Sequence, residues 1–369
     1  MGTKKIGTLK MAFTFAGCFL GAGYVSGQEL WQYFGSYGPV GILGLILAIL
    51  LLIFVSVTVM DLSIRTGKVT MPDLIVRWDI PWLKRLFGIF EVFLFFSIGS
   101  IMIAGIGNLF TSLLGVPTWA ACLLVTLFTA AAAYFGLEGM VAVFSSTSPI
   151  LVVTALVICL IKIAGTGTEA FRLTAGSTNP MLGPWWFSSV NYTALNIFGS
   201  IALLSPLASV VKDGTKGITK GCVIGGVSLF AVAICIVFAL NSFPACVSEE
   251  LPMLAVAKNV SEAAAWIYAG LIFLAMFGIA LSSLVAVSGH LEYKFTKVKE
   301  HKFTEFVILA LATFGASLIG FSGLISYVYP VFGYVGIVSI LGVLDQAVYV
   351  RLKNGKKNMA GDRSSEDQR

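Results

Sequence analysis

The residues best placed to do chemistry lie in the first apolar stretch. Gly17, Gly21 and Gly23 fall within one seven-residue window, and Glu29 follows shortly after. Each glycine in a helix interior costs about 1 kcal/mol relative to alanine. In hydrocarbon, a freed backbone N–H or C=O persists only where it meets protein, water or a ligand. The spacing therefore predicts a discontinuous helix whose opened backbone binds something. The N–H groups of Gly21, Ala22 and Gly23 would open a helix continuing through residues 25–34. A helix start offers unsatisfied donors and a partial positive charge, which suits a substrate carboxylate. Tyr24 belongs to the same candidate set. Close helix packing through small residues is the competing use of these glycines.

Three further groups carry candidate chemistry. Glu29 and Glu91 are carboxylates inside apolar runs, and such groups in membranes typically carry protons or pair with cations. The bland alternative is that Glu29 and Glu91 lie near the outer and inner surfaces. In the sixth apolar run, Asn196, Phe198, Gly199 and Ser200 offer an amide, a ring, a flexible backbone point and a hydroxyl. Asn196 could bind a polar substrate group with Phe198 covering it, or it could join helices while Phe198 faces lipid. In the eighth run, Ser282 and Ser283 are adjacent hydroxyls, although membrane serines often bond back to the carbonyl four residues earlier.

Other chemistries are disfavoured. The histidines, His290 and His301, fall at the edge of an apolar run or beyond it, and neither an HExxH pattern nor paired mid-span aspartates occur. An intramembrane enzyme is therefore not expected. The six cysteines have no CxxC spacing, so neither a disulfide framework nor a zinc site is indicated. The interrupted spans also lack the Asp, Asn and Met cluster that a tight divalent-metal site would want.

The elements that must position these groups are membrane helices. Hydrophobic residues make up 57% of 369 and charged residues 11%, against about 25% charged in soluble domains; mean hydropathy is +0.93. The expected class is an all-α polytopic membrane protein. About ten runs are long enough to cross: 9–34, 39–64, 83–110, 116–135, 139–163, 187–211, 218–240, 263–289, 304–321 and 324–350. With the N-terminus inside, 21 of the 24 Lys and Arg fall in cytoplasmic segments, leaving Lys162, Arg172 and Lys258 outside. That asymmetry sets both termini in the cytoplasm. It also explains the +6 net charge without a nucleic-acid partner.

The spans divide into two halves, residues 1–163 and 187–353, separated by an external loop at 164–186 and followed by a tail at 354–369 expected to be disordered. Five spans per half is an odd number, so the halves must be inverted. The sixth span, counterpart of the first, is also expected to be interrupted, over Tyr192–Ser200. Matching interruptions in inverted halves point to a transport site.

Ten spans, broken first and sixth helices and a 5+5 inverted repeat resemble the LeuT-type fold of the amino acid–polyamine–cation superfamily. The run Gly21-Ala22-Gly23-Tyr24-Val25-Ser26-Gly27-Gln28-Glu29 is similar to the GAG-[FY]-x-[ST]-G-x-E signature of YkvI-like bacterial membrane proteins. The resemblance implies a transporter of the bacterial inner membrane. In sodium-coupled members of that fold, a hydroxyl pair in the eighth span completes a cation site with carbonyls of the first-span break. Carried over, this places sodium among the carbonyls of Gly17, Leu20 and Ile279 and the hydroxyls of Ser282 and Ser283. The leading expectation is sodium-coupled uptake of an amino acid or similar small zwitterion by alternating access, in a lipid bilayer, with Na+ as coupling ion and no other cofactor. The alternatives are proton- or cation-coupled transport of an amine using Glu29 or Glu91, and a receptor or scaffold that binds without transporting.

Overall fold

Proline and glycine punctuate the apolar runs and fix where helices begin and end. A computed structural model describes residues 5–78, 80–134, 148–294 and 302–366. The first crossing is built from three pieces: α1 (Thr8–Phe19), α2 (Ala22–Val25) and α3 (Gln28–Tyr33). Next come α4 (Pro39–Thr66), a short α5 (Met71–Ile75), α6 (Pro81–Leu114), α7 (Thr118–Tyr134) and α8 (Ser148–Thr166). The second half holds α9 (Trp185–Ala208), α10 (Gly214–Asn241), a surface helix α11 (Pro252–Val260), α12 (Glu262–Lys294), α13 (Lys302–Ser317) and α14 (Phe321–Glu366). Proline occupies the first turn of α4, α5, α6 and α11, where its fixed φ suits a helix start and its missing N–H costs nothing.

Seven of these helices are long and apolar enough to cross a membrane, and α1, α7 and α13 are shorter apolar helices. Together they supply the expected ten crossings, with ends within a few residues of those expected except at the fifth and the tenth. That span was expected from residue 139, but 135–147 lie outside the described residues and α8 begins at Ser148. The polar tail also differs, because helix α14 continues through Glu366 instead of ending near residue 353.

The sixth span corrects the expectation more sharply. Helix α9 is continuous through Tyr192–Ser200. Its polar side chains are satisfied without opening the backbone: Asn196 Nδ2 donates to Tyr192 O at 3.0 Å, and the Thr193 hydroxyl lies 2.9 Å from Ser189 O and 3.2 Å from Ala48 O. A single glycine, Gly199, costs about 1 kcal/mol, which packing of α9 against α4 and α14 offsets. The chain leaves the helix only after Ala208, two residues past Pro206.

Packing follows a two-fold logic. Helix α1 lies along α10, and α9 lies along α4. Exchanging the first five crossings with the second five maps one pair onto the other. The α6–α12 and α4–α10 pairs map onto themselves, as an inverted repeat requires. At the end carrying most basic residues, Ile6 is clasped between Val210 and Lys212: its N–H donates to Val210 O at 2.8 Å and its O accepts from Lys212 N at 2.9 Å. The same face holds the Lys84–Asp73 ion pair at 2.7 Å and Asp61 between Arg65 (2.8 Å) and Arg351 (3.5 Å).

Candidate functional site

The first span is interrupted twice, and the two interruptions differ in kind. At the first, Gly21 is extended (φ −77°, ψ 168°) after Leu20 (φ −76°, ψ 64°). Gly21 N donates to Phe19 O at 2.8 Å, and Tyr24 N donates to Gly21 O at 3.1 Å. In a continuous helix those donors would serve Gly17 O and Leu20 O, so both carbonyls lose their helical partners. A side chain added at Gly21 would meet no atom of the described residues within 4 Å. The second interruption is at Gly27, whose φ of 84° is left-handed and costs little only in glycine. Protein closes this one: Val25 O accepts the Tyr268 hydroxyl, and Ser26 O accepts Met253 N of α11 at 2.9 Å. Freed groups must be satisfied in lipid, and among the described residues the Gly17 and Leu20 carbonyls at the first interruption have no donor.

The second interruption corrects one expectation. The helix expected to run from the glycines through Phe34 stops after four residues, so few peptide dipoles add along α2. The case for a substrate carboxylate at Gly21, Ala22 and Gly23 weakens accordingly.

A carboxylate of the protein itself sits beside the glycines. Glu29, in the first turn of α3, is 6% exposed. Its Oε2 lies 2.7 Å from where a side chain on Gly23 would begin, and the Tyr329 hydroxyl lies 3.5 Å from that point. The absence of a side chain at Gly23 is what lets the carboxylate approach. Tyr192 and Asn196 of α9 are polar neighbours of Glu29, and the Asn196 amide donates to Tyr192 O. Tyr24 lies on α2 and Tyr33 on α3, the helix that carries Glu29, and Tyr329 comes from α14. Among the described residues, no Lys, Arg or His forms an ion pair with Glu29.

The surrounding hydroxyls are held in place. Tyr24 Oη donates to Leu229 O at 2.6 Å, and Tyr33 Oη to Asn191 Oδ1 at 3.1 Å. Asn191 Nδ2 in turn donates to Pro330 O at 3.0 Å. Pro330 has no N–H to give Ser326 O, and Asn179 Nδ2 supplies that donor at 2.7 Å. The Gln28 amide oxygen, next to Glu29 in sequence, is buried without a partner among the described residues.

The fold thus brings together Gly23, Tyr24, Glu29 and Asn196, with Gly21 and Ala22 in the same turn. Other candidates lie apart. Phe198 is 1% exposed and stacks on Phe332 at 6.3 Å, and Gly199 faces Leu94 of α6, so these two pack helices. Ser200 is buried. Glu91 sits half-buried on α6. Of the serine pair, the Ser282 hydroxyl donates to Gly278 O at 2.7 Å, and the Ser283 Cβ packs on Gly99 of α6. Ile279, one residue beyond Gly278, is half-buried on α12. Sequence reasoning missed Tyr192, Tyr329 and Asn191. The Tyr-Pro step at 329–330 was the available signal, since proline inside a span frees a carbonyl that a polar side chain must satisfy.

No family model matches the chain. It is 25% identical over 335 residues to an uncharacterised membrane protein, YkvI, of Bacillus subtilis (strain 168), covering 91% of this chain and 94% of that one. It is 24% identical over 342 residues to an uncharacterised protein, YyaD, of the same organism, covering 91% and 96%. Among solved structures, the inward-facing conformation of Mhp1 superposes with a TM-score of 0.63 at 13% identity, covering 92% of this chain and 76% of Mhp1. Mhp1 in a closed conformation, described as a nucleobase-cation-symport-1 family transporter, gives 0.54 at 11% identity, covering 95% and 75%. The YkvI resemblance seen in the first span thus extends over most of the chain, and the fold is of the LeuT type.

Proposed function

We propose that this chain is a secondary active transporter working by alternating access, in which Glu29 binds a cation: a coupling proton, or the ammonium group of a small amine or zwitterion. The observation that carries the reading is the carboxylate itself, buried against Gly23 of the first-span break beside the Tyr329 hydroxyl, without a basic partner among the described residues. Removing a carboxylate from water costs several kcal/mol. A proton removes that cost, and a cation at about 4 Å returns roughly 4 kcal/mol at the effective dielectric of a protein. The faces of nearby tyrosine rings add attraction for an ammonium, about 0.5–2 kcal/mol. The fold supports the transport reading, and the basic-residue asymmetry supports the bacterial inner membrane with both termini cytoplasmic.

Sodium-coupled uptake of a zwitterion becomes the second reading. It is favoured by the Gly17 and Leu20 carbonyls, which the break frees of helical donors and which suit a hard cation. It would require the Ser282 hydroxyl to turn from Gly278 O. A receptor of the same fold would bind ligand without flux.

The test is a thermal-stability screen of the purified full chain against primary amines, guanidines and amino acids, with sodium exchanged for potassium. A ligand at a hundredfold excess over its Kd adds about 2.7 kcal/mol. A cationic ligand is expected to stabilise the wild type and not Glu29→Gln, in either salt. Equal stabilisation of both proteins would remove Glu29 from the site. Sodium-dependent stabilisation abolished by the Ser282→Ala, Ser283→Ala double variant would establish the second reading instead.

A further inference from the structure

A second feature, remote from Glu29, faces outward between α4 and α10. The Gly226 backbone lies so close to α4 that an added side chain would come within 2.5 Å of Ile53 Cδ1. This close approach forms the floor of a groove enclosing about 620 Å³. Leu50 and Phe54 wall it on one side, and Val223 and Val227 on the other. These four side chains are between 44% and 60% exposed. Ile46 and Thr58 mark its two ends on α4. Their separation is about 18 Å at 1.5 Å per residue, somewhat more than half of the about 30 Å hydrocarbon core. The groove is therefore about one leaflet long.

Its chemistry is asymmetric along that length. Toward Ile46 the lining is aliphatic and aromatic. At the other end stand Thr58, Thr219 and Arg351. Arg351 is 59% exposed and shares Asp61, itself 5% exposed, with Arg65. Two guanidiniums against one carboxylate leave that end net positive. Lys216 and Lys220, both exposed in the first two turns of α10, lie on the face that continues through Thr219, Val223 and Val227.

We propose that this groove is a site for an anionic glycerophospholipid, with one acyl chain between α4 and α10 and the headgroup phosphate at Arg351, Lys216 and Lys220. The volume falls within the about 300–1,000 Å³ of small-molecule sites, and the length matches a single leaflet. Arginine matches phosphate geometry with paired N–H donors, and each basic side chain near a membrane surface favours anionic lipid by about fivefold. A soluble phosphate would fit the basic end alone and would gain nothing from the apolar length.

The test is native mass spectrometry of the delipidated full chain in neutral detergent. Phosphatidylglycerol is titrated against phosphatidylcholine of identical chains, with glycerol phosphate as a soluble competitor. Phosphatidylglycerol is expected to bind more tightly, and glycerol phosphate should not displace it. Because Arg351 also holds Asp61, the charge variant is Lys216→Gln, Lys220→Gln, expected to weaken phosphatidylglycerol about twenty-five-fold while leaving phosphatidylcholine unchanged. Val227→Trp, which fills the groove and touches no ion pair, should weaken both lipids. Equal binding of the two lipids to wild type, displacement by glycerol phosphate, or unchanged binding in Val227→Trp would each overturn the proposal.

Discussion

Gly21 and Gly23 stand two residues apart in the same break, yet the geometry assigns them opposite sensitivities. An alanine methyl at position 23 would start 2.7 Å from Glu29 Oε2, whereas at position 21 it would meet no atom of the described residues within 4 Å. Ordinary contact begins near 3.4 Å, so the carboxylate in Gly23→Ala must retreat by about 0.7 Å, away from α2. That movement disturbs its approach to Tyr192 and Asn196 and to any bound cation. A hydrogen bond to a charged group is worth about 1.5–3 kcal/mol, so ligand affinity should fall about ten- to a hundredfold. Gly21→Ala has an unstrained extended φ and free space, so its affinity should stay within about twofold of wild type. The assay is the dissociation constant of the amine that most stabilises wild type, measured by titration calorimetry on both variants. Equal losses in the two variants would mean the glycines act through backbone flexibility, and no loss in either would separate Glu29 from the ligand.

Three other expectations test the frame around the site. Gly333→Ala would drive a methyl into Asn191 Oδ1. This overpacking should cost about 1–3 kcal/mol of stability, and adding Asn191→Ala should recover part of it; a thermal midpoint unchanged in Gly333→Ala would refute the contact. The exposed Ser177, in the connection between α8 and α9, should as Ser177→Cys react with impermeant thiol reagents from outside intact cells; labelling only from the cytoplasm would invert the topology. Asp73, outside the crossings, is held below the usual carboxylate range first by the Lys84 hydrogen bond and then by Thr70. A depressed folded pKa contributes stability above the unfolded value, near 3.9, and loses it as pH falls through the folded one. Lys84→Ala should therefore cost at most about 1 kcal/mol at pH 7, because both partners are partly exposed, and nothing well below pH 3. A deficit that persisted there would show that Lys84 acts through other contacts.

Much of the membrane layout was legible because lipid constrains it so strongly. Runs of apolar residues marked eight of the ten crossings to within a few residues at both ends, and three clustered glycines marked the first break. Glu29 stood out because carboxylates are costly in such surroundings. The second break was less visible, since a lone Gly27 looks like any tolerated helix glycine until its φ of 84° is seen. The sixth span was misread because its place as counterpart of the first, with Gly199 inside it, suggested an opened backbone, whereas the Asn196 and Thr193 side chains spend their hydrogen bonds on carbonyls of α9 and α4. The tyrosines near Glu29 come from α2, α3, α9 and α14, a convergence that no local pattern encodes. The Ser282–Ser283 pair was legible as a motif, but the direction of each hydroxyl depends on how α12 rotates against α6.

The central claim is that Glu29 is the cation-binding group of a transporter. Its most direct test is uptake of the stabilising amine into proteoliposomes across a range of pH, comparing wild type, Glu29→Asp and Glu29→Gln. Wild type should transport with a pH-dependent rate, Glu29→Asp should transport weakly with a shifted profile, and Glu29→Gln should show neither uptake nor ligand binding while remaining folded. Wild-type uptake with an unchanged pH profile in Glu29→Gln would contradict the claim.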